Sequence, residues 1–241
     1  MNTKITVLFV CVVLIVLPGR AQSTFQNLGF ESATVPDLPA GQYGGYVSST
    51  QAIPAWTVYL GTDQVTQVLQ NNITLGTAAV GLLGPNWTAS MGIGFVGGII
   101  ESNYSVVLQA GQDPFSLRPA VVNASISQVG LVPANAQSLQ LKTAGTSYGI
   151  VSVSFAGQNL PLVALETSNP NYTLYGANIS AFAGQSGALT FTASTAVNPD
   201  NTAELDSIVF STQSIPEPGG LALFGVGGLL LGFFCRRISL R

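Results

Sequence analysis

The chain has 241 residues, 47% hydrophobic and only 7% charged, with no histidine, so its length allows one medium domain or two small ones. Between residues 24 and 214 nine acidic side chains stand against two basic ones, Arg118 and Lys142, a net of −7. That balance excludes a nucleic-acid partner, which needs clustered Lys and Arg, and the missing imidazole excludes Ser-His-Asp triads, Cys-His pairs and the usual catalytic zinc sites.

The N-terminus carries Lys4, an apolar run over residues 5–17, and then Pro18-Gly19-Arg20-Ala21. About 13 apolar residues fall short of the roughly 20 that span a bilayer, and Gly19 and Ala21 suit a signal peptidase. Residues 1–23 therefore read as a cleaved signal peptide. The two cysteines, Cys11 and Cys235, lie in the terminal segments, which leaves the mature body without a disulfide or a thiolate metal site.

Residues 24–211 show one texture: short runs of Val, Ile, Leu, Phe, Tyr and Thr, interrupted every 8 to 12 residues by Gly, Asn, Pro or Asp. Apolar and polar residues alternate over 120–127, 138–142 and 150–155, each predicting a strand with one buried and one wet face. Further strands are expected over 56–60, 104–109, 160–165, 172–179, 188–193 and 205–211. Residues 76–98, rich in Gly, read as a loop wrapping one end. About ten strands without cysteine and without an internal repeat predict an all-β fold, a two-sheet jelly-roll-like β-sandwich.

Residues 212–218 read as a linker ending in Pro216-Glu217-Pro218. An unbroken apolar run, 219–235, follows, and then a basic end, 236–241, opened by Arg236-Arg237. Seventeen residues at 1.5 Å each make a transmembrane helix of about 25 Å, short of the hydrocarbon core but tolerable with snorkelling arginines. The two arginines would stop in the cytoplasm and leave the Pro-Glu-Pro motif on the outer face.

Ile215-Pro216-Glu217-Pro218, the apolar span and Arg236-Arg237 together resemble the PEP-CTERM sorting signal of Gram-negative bacteria that make exopolysaccharide. The resemblance implies export, transient anchoring in the inner membrane, recognition by an exosortase, and delivery to the cell surface or extracellular matrix. Ile238-Ser239-Leu240-Arg241 departs from it in being less basic than such tails usually are. A second set of residues, Phe25 to Glu31, Ile53-Pro54-Ala55-Trp56 and Leu205-Asp206-Ser207-Ile208, resembles the edges of galactose-binding-like jelly rolls, a shape shared by carbohydrate-binding modules.

Carboxylates are the chemistry that remains. Glu31 and Asp206 flank the first and last strands, which neighbour one another in a jelly roll. Two acids there repel unless a cation, naturally a structural calcium ion, lies between them and draws in backbone carbonyls. The alternative is two solvated strand-end carboxylates. Glu101 and Glu166 are the pair to consider for a glycosidase or lyase, although nothing in the sequence marks them as paired. Trp87, Tyr43, Tyr46 and Trp56 are candidates for stacking on sugars, with core packing the stronger reading for Trp56. The sequence thus points first to a non-enzymatic exported protein able to hold polysaccharide, second to a secreted carbohydrate-active enzyme, and third to a passive structural protein.

Overall fold

Val, Ile, Leu and Phe alternating with Ser, Thr and Gln build two packed β-sheets in the computed structural model, which describes residues 23–87, 98–116, 120–144, 151–196 and 201–215. The larger sheet has eight strands in the order β1 (Tyr46–Ser48), β4 (Gln67–Gln70), β5 (Ala79–Leu83), β6 (Ser105–Gln109), β16 (Thr202–Ser211), β10 (Ser138–Ala144), β14 (Tyr172–Asn178) and β13 (Val163–Glu166). The other has six, in the order β12 (Gln158–Leu160), β11 (Val151–Phe155), β15 (Ser186–Ala193), β9 (Ala124–Leu131), β2 (Thr57–Leu60) and β3 (Asp63–Val65). A separate ribbon pairs β7 (Gly111–Gln112) with β8 (Val121–Val122). Helix is confined, among the described residues, to α1 (Ser49–Ala52) and a 3₁₀ turn at Ser180–Phe182.

The period of two decides what each sheet buries. Val58 and Leu60, Ala124 and Ile126, Leu189, Phe191 and Ala193, and Val151, Val153 and Phe155 point inward from the smaller sheet. Val80 and Leu82, Val106 and Leu108, Ala203 and Leu205, and Leu139 and Leu141 meet them from the larger one. Each Val, Leu, Ile or Phe among them contributes about 1.5–3 kcal/mol when removed from water, and the core they form joins the two sheets.

Among the described residues sixteen strands stand where about ten were expected, and two boundaries differ for physical reasons. The segment expected as one strand over 160–165 is two, β12 and β13, in different sheets. Pro161 and Leu162 lie between them, and a proline has no N–H for a ladder. The expected loop over 76–98 contains β5, whose five residues are all buried. A strand covered on both faces carries no alternation to read.

The three segments that resembled jelly-roll edges meet in space. Asn27 Nδ2 donates to the Pro54 carbonyl at 3.0 Å, and the Asn27 carbonyl accepts from Trp56 Nε1 at 3.0 Å. The Ile208 amide donates to the Leu28 carbonyl at 3.0 Å. Phe30 takes a positive φ of 59°, and its buried ring lies 5.9 Å from that of Trp56, which in turn contacts Phe191 at 5.8 Å.

At the other end the described part of the linker is seated on the larger sheet. Ser138 Oγ donates to the Gln213 carbonyl at 2.7 Å, and Ile215 is buried over Gly176, where a side chain in place of the hydrogen would collide with it. The expected signal peptide, apart from Ser23, lies outside the described residues, as do Pro216, Glu217, Pro218, the apolar span 219–235, Arg236 and Arg237. Among the described residues no helix is long and apolar enough to cross a membrane.

Candidate functional site

Two places concentrate functional groups. The first is the outer face of the larger sheet, where Glu204 and Asp206, two residues apart on β16, point away from the core that takes Ala203 and Leu205. Both are only 1% exposed, because residues 98–104 lie across this face. Asp206 Oδ2 accepts from the Glu101 amide at 3.1 Å and Ser105 Oγ at 3.2 Å, and Oδ1 accepts from the Ser207 amide. A bulge shapes this corner: β16 carries an extra residue against β10, and Ser207 sits at φ 50°.

Glu31 holds the same loop from the other side. Its Oε1 accepts the amides of Asn103 at 3.1 Å and Tyr104 at 3.0 Å, and Oε2 accepts Asn103 Nδ2 at 3.0 Å. The pair expected to share a cation is thus brought to one loop, and each member is already engaged by protein donors. A cation there would have to share them. No three acidic side chains among the described residues converge as a metal cluster.

Glu204 was not singled out by the sequence and is the least satisfied group of the cluster. Among the described residues neither carboxylate oxygen has a hydrogen-bond partner; the nearby Gly98 amide acts on it without reaching hydrogen-bond geometry. Val107 stands opposite it on β6. Burial pushes the Glu204 carboxyl up to about 8, with the Asp206 charge adding to the effect. Burial also raises Asp206, to about 7, against the pull of its Ser207, Ser105 and Glu101 donors.

Glu101 lies in the loop that crosses the larger sheet, and Glu166 on that sheet's edge strand β13. Glu101 is ion-paired to Lys142 at 2.8 Å and takes the Ser207 hydroxyl, and these two contacts hold its carboxyl below the usual carboxylate range. Glu166 lies on the edge strand β13 opposite Leu174, which itself faces Lys142 across β14 and β10. Two strand spacings, about 10 Å, therefore separate Glu166 from Lys142 along the sheet.

The aromatic candidates divide by burial. Trp56 is 5% exposed and belongs to the core. Trp87 is half-buried and packs with Ile73 on Leu83 and Val107, a small apolar patch on the outer face. Tyr43 and Tyr46 are exposed.

The second place is a cleft of about 350 Å³ where the chain passes from β3 to β4. Tyr46, Leu60, Ala79 and Val80 line it with Gln64, Thr66, Gln67 and Phe115. Tyr46 and Phe115 are its exposed rings, at 63% and 60%. Sequence reading missed Phe115, whose only signal is an aromatic residue after the Asp113-Pro114 turn. Asp113 Oδ1 accepts the Phe115 amide at 2.8 Å and fixes that turn.

Residues 214–238 match the PEP-CTERM protein-sorting motif, so the chain carries a C-terminal sorting signal of that class. A search of curated proteins returns no match. Among solved structures the chain is similar to TmCBM61 in complex with β-1,4-galactotriose, at 16% identity over 79% of this chain and all of that one, with a TM-score of 0.39. It is also similar to the enzymatically active domain of bacteriophage CBA120 tailspike protein 4, at 13% identity over 65% of this chain and 19% of that one, with a TM-score of 0.32. At these similarities neither decides a ligand or an activity.

Proposed function

We propose that this is an exported protein, processed by signal peptidase, held briefly in the inner membrane and sorted by an exosortase to the cell surface or matrix, where its sandwich holds exopolysaccharide without turning it over. The observation that carries the delivery is the match of residues 214–238 to the sorting motif. Retention of a glycan is supported by the cleft with its two exposed rings, since sugars are gripped by flat aromatic faces and a few polar groups.

Two measurements test the reading. Mass spectrometry of surface material should show a chain shortened near Pro216-Glu217-Pro218, and an intact Arg241 there would count against sorting. The detergent-solubilised full-length chain should sediment with insoluble exopolysaccharide from an exosortase-bearing bacterium. Recovery of the chain entirely in the supernatant would sink the binding half.

A further inference from the structure

The cleft between β3 and β4 has a chemistry narrower than polysaccharide in general. None of the described residues lining it carries a charge. A uronate, sulfate or phosphate entering it would lose water without meeting a base, which is unfavourable for any buried ion. The body around it bears a net of −7 between residues 24 and 214, so a polyanion is repelled before it arrives.

Its polar groups are also unusually uncommitted. The amides of Gln70, Gln109, Gln128 and Gln185 are spent on backbone carbonyls elsewhere in the fold. Gln64, Thr66 and Gln67 make no side-chain hydrogen bond with the described residues, and all three are exposed at the cleft. Two primary amides and a hydroxyl offer donors and acceptors together, which matches vicinal hydroxyl groups. They sit beside two exposed rings, whereas Phe30, Trp56, Phe155 and Phe191 are spent in the core.

The frame is fixed before any ligand arrives. The Ala78 amide donates to the Gln112 carbonyl at 2.8 Å, and the Gln112 amide to the Gly76 carbonyl at 2.7 Å. The Ser49 amide donates to the Thr66 carbonyl at 2.9 Å, and the Asp113 amide to the Ala120 carbonyl at 2.8 Å. Rings held on such a scaffold lose little freedom on binding. At about 350 Å³ the cleft is at the small end of ligand pockets, which suits a short stretch of a longer chain.

We infer that this cleft is a site for an uncharged polysaccharide, with pyranose faces on Tyr46 and Phe115 and sugar hydroxyls on Gln64, Thr66 and Gln67. The inference rests on the binding reading above and adds the site and the ligand class.

Affinity electrophoresis of the detergent-solubilised full-length chain tests it, in native gels containing a neutral galactan, glucomannan or hydroxyethylcellulose, or acidic alginate. At least one neutral polymer should retard the wild type, and alginate should not. The double variant Tyr46→Ala/Phe115→Ala should bind roughly tenfold or more weakly, and Tyr46→Phe and Phe115→Tyr should stay close to wild type because the rings remain. Circular dichroism and thermal melting of each variant check that the sandwich is intact. Neutral retardation that survives the double substitution overturns the site while leaving the binding reading in place. Retardation by alginate alone overturns the ligand class. Self-association lost in the double variant with no change in retardation assigns the rings to a second copy of the chain and also overturns the site. No retardation by any polymer removes the binding reading and this inference with it.

Discussion

Lys142 stands directly opposite Asp206 in the β10–β16 ladder, yet its ammonium lies 2.8 Å from Glu101 Oε1 and 4.7 Å from the centre of the Tyr172 ring. The base best placed to neutralise the buried acids is turned toward a half-exposed glutamate. Lys142→Met should therefore cost no more than about 1 kcal/mol in urea unfolding, as partly exposed ion pairs do. A loss several times larger would mean that Lys142 neutralises the buried pair after all.

Glu204 and Asp206 make the fold sensitive to alkali rather than to mild acid. Their folded pKa values, about 8 and about 7, lie above the ordinary 4.5 and 3.8, so between those limits the folded state binds more protons than the unfolded one. Stability is then greatest below about pH 4 for these two groups and declines as pH rises to about 8, by on the order of a few kcal/mol. Urea midpoints should be higher at pH 5.5 than at pH 8.5, and Glu204→Gln should flatten the difference. A midpoint that climbs over this range contradicts the assignment.

Calcium, the cation expected at Glu31 and Asp206, has a distinct signature. If it binds, it should raise the melting temperature most at pH 8, where Asp206 would otherwise charge unaided, and a chelator should reverse the rise. Asp206→Ala should abolish the shift. A wild-type melting temperature indifferent to calcium removes the ion from the structure's stability.

The buried Trp56 and the exposed Tyr43 should respond unequally to truncation. Trp56→Ala removes a buried ring that touches Phe30 and Phe191 and leaves the Asn27 carbonyl with the Phe30 amide as its donor, for a cost of about 3–5 kcal/mol. Tyr43→Ala, at an exposed site, should fall within about 0.5 kcal/mol of wild type. Chemical denaturation of both variants measures the contrast.

A carbohydrate-active enzyme would need one of the two candidate glutamates to act as an acid. The Lys142 ammonium holds Glu101 in its charged form, which favours no such role. Incubation with the neutral polymers above should release no reducing ends or unsaturated products. Release that vanishes in Glu101→Gln or Glu166→Gln would establish the enzymatic alternative.

The sandwich was legible where one face of a strand is wet. β9, β11 and β15 alternate, and their inward residues could be named from period alone. β5 could not be read because Val80 and Leu82 face the core while Leu83 faces a patch with Val107 and Trp87. The short edge strands β1 and β3 contain too few residues to show a period. Site residues followed the same logic. Glu31 and Asp206 could be paired because their flanking segments meet through Leu28 and Ile208, whereas the isolation of Glu204 depends on a loop that crosses the sheet from far along the chain. Phe115 depends likewise on the β7–β8 ribbon, which joins residues too few to form a recognisable run.

Ile215 is the last docked residue before Pro216, and Gln213 behind it is bonded to Ser138. A leash has reach only over residues that swing freely, and here those residues are seated on β14 and β10. Gln213 and Ile215 therefore add no free length to the tail that follows them. The sandwich thus extends to Ile215, and any reach the domain has relative to its tail begins only beyond that residue.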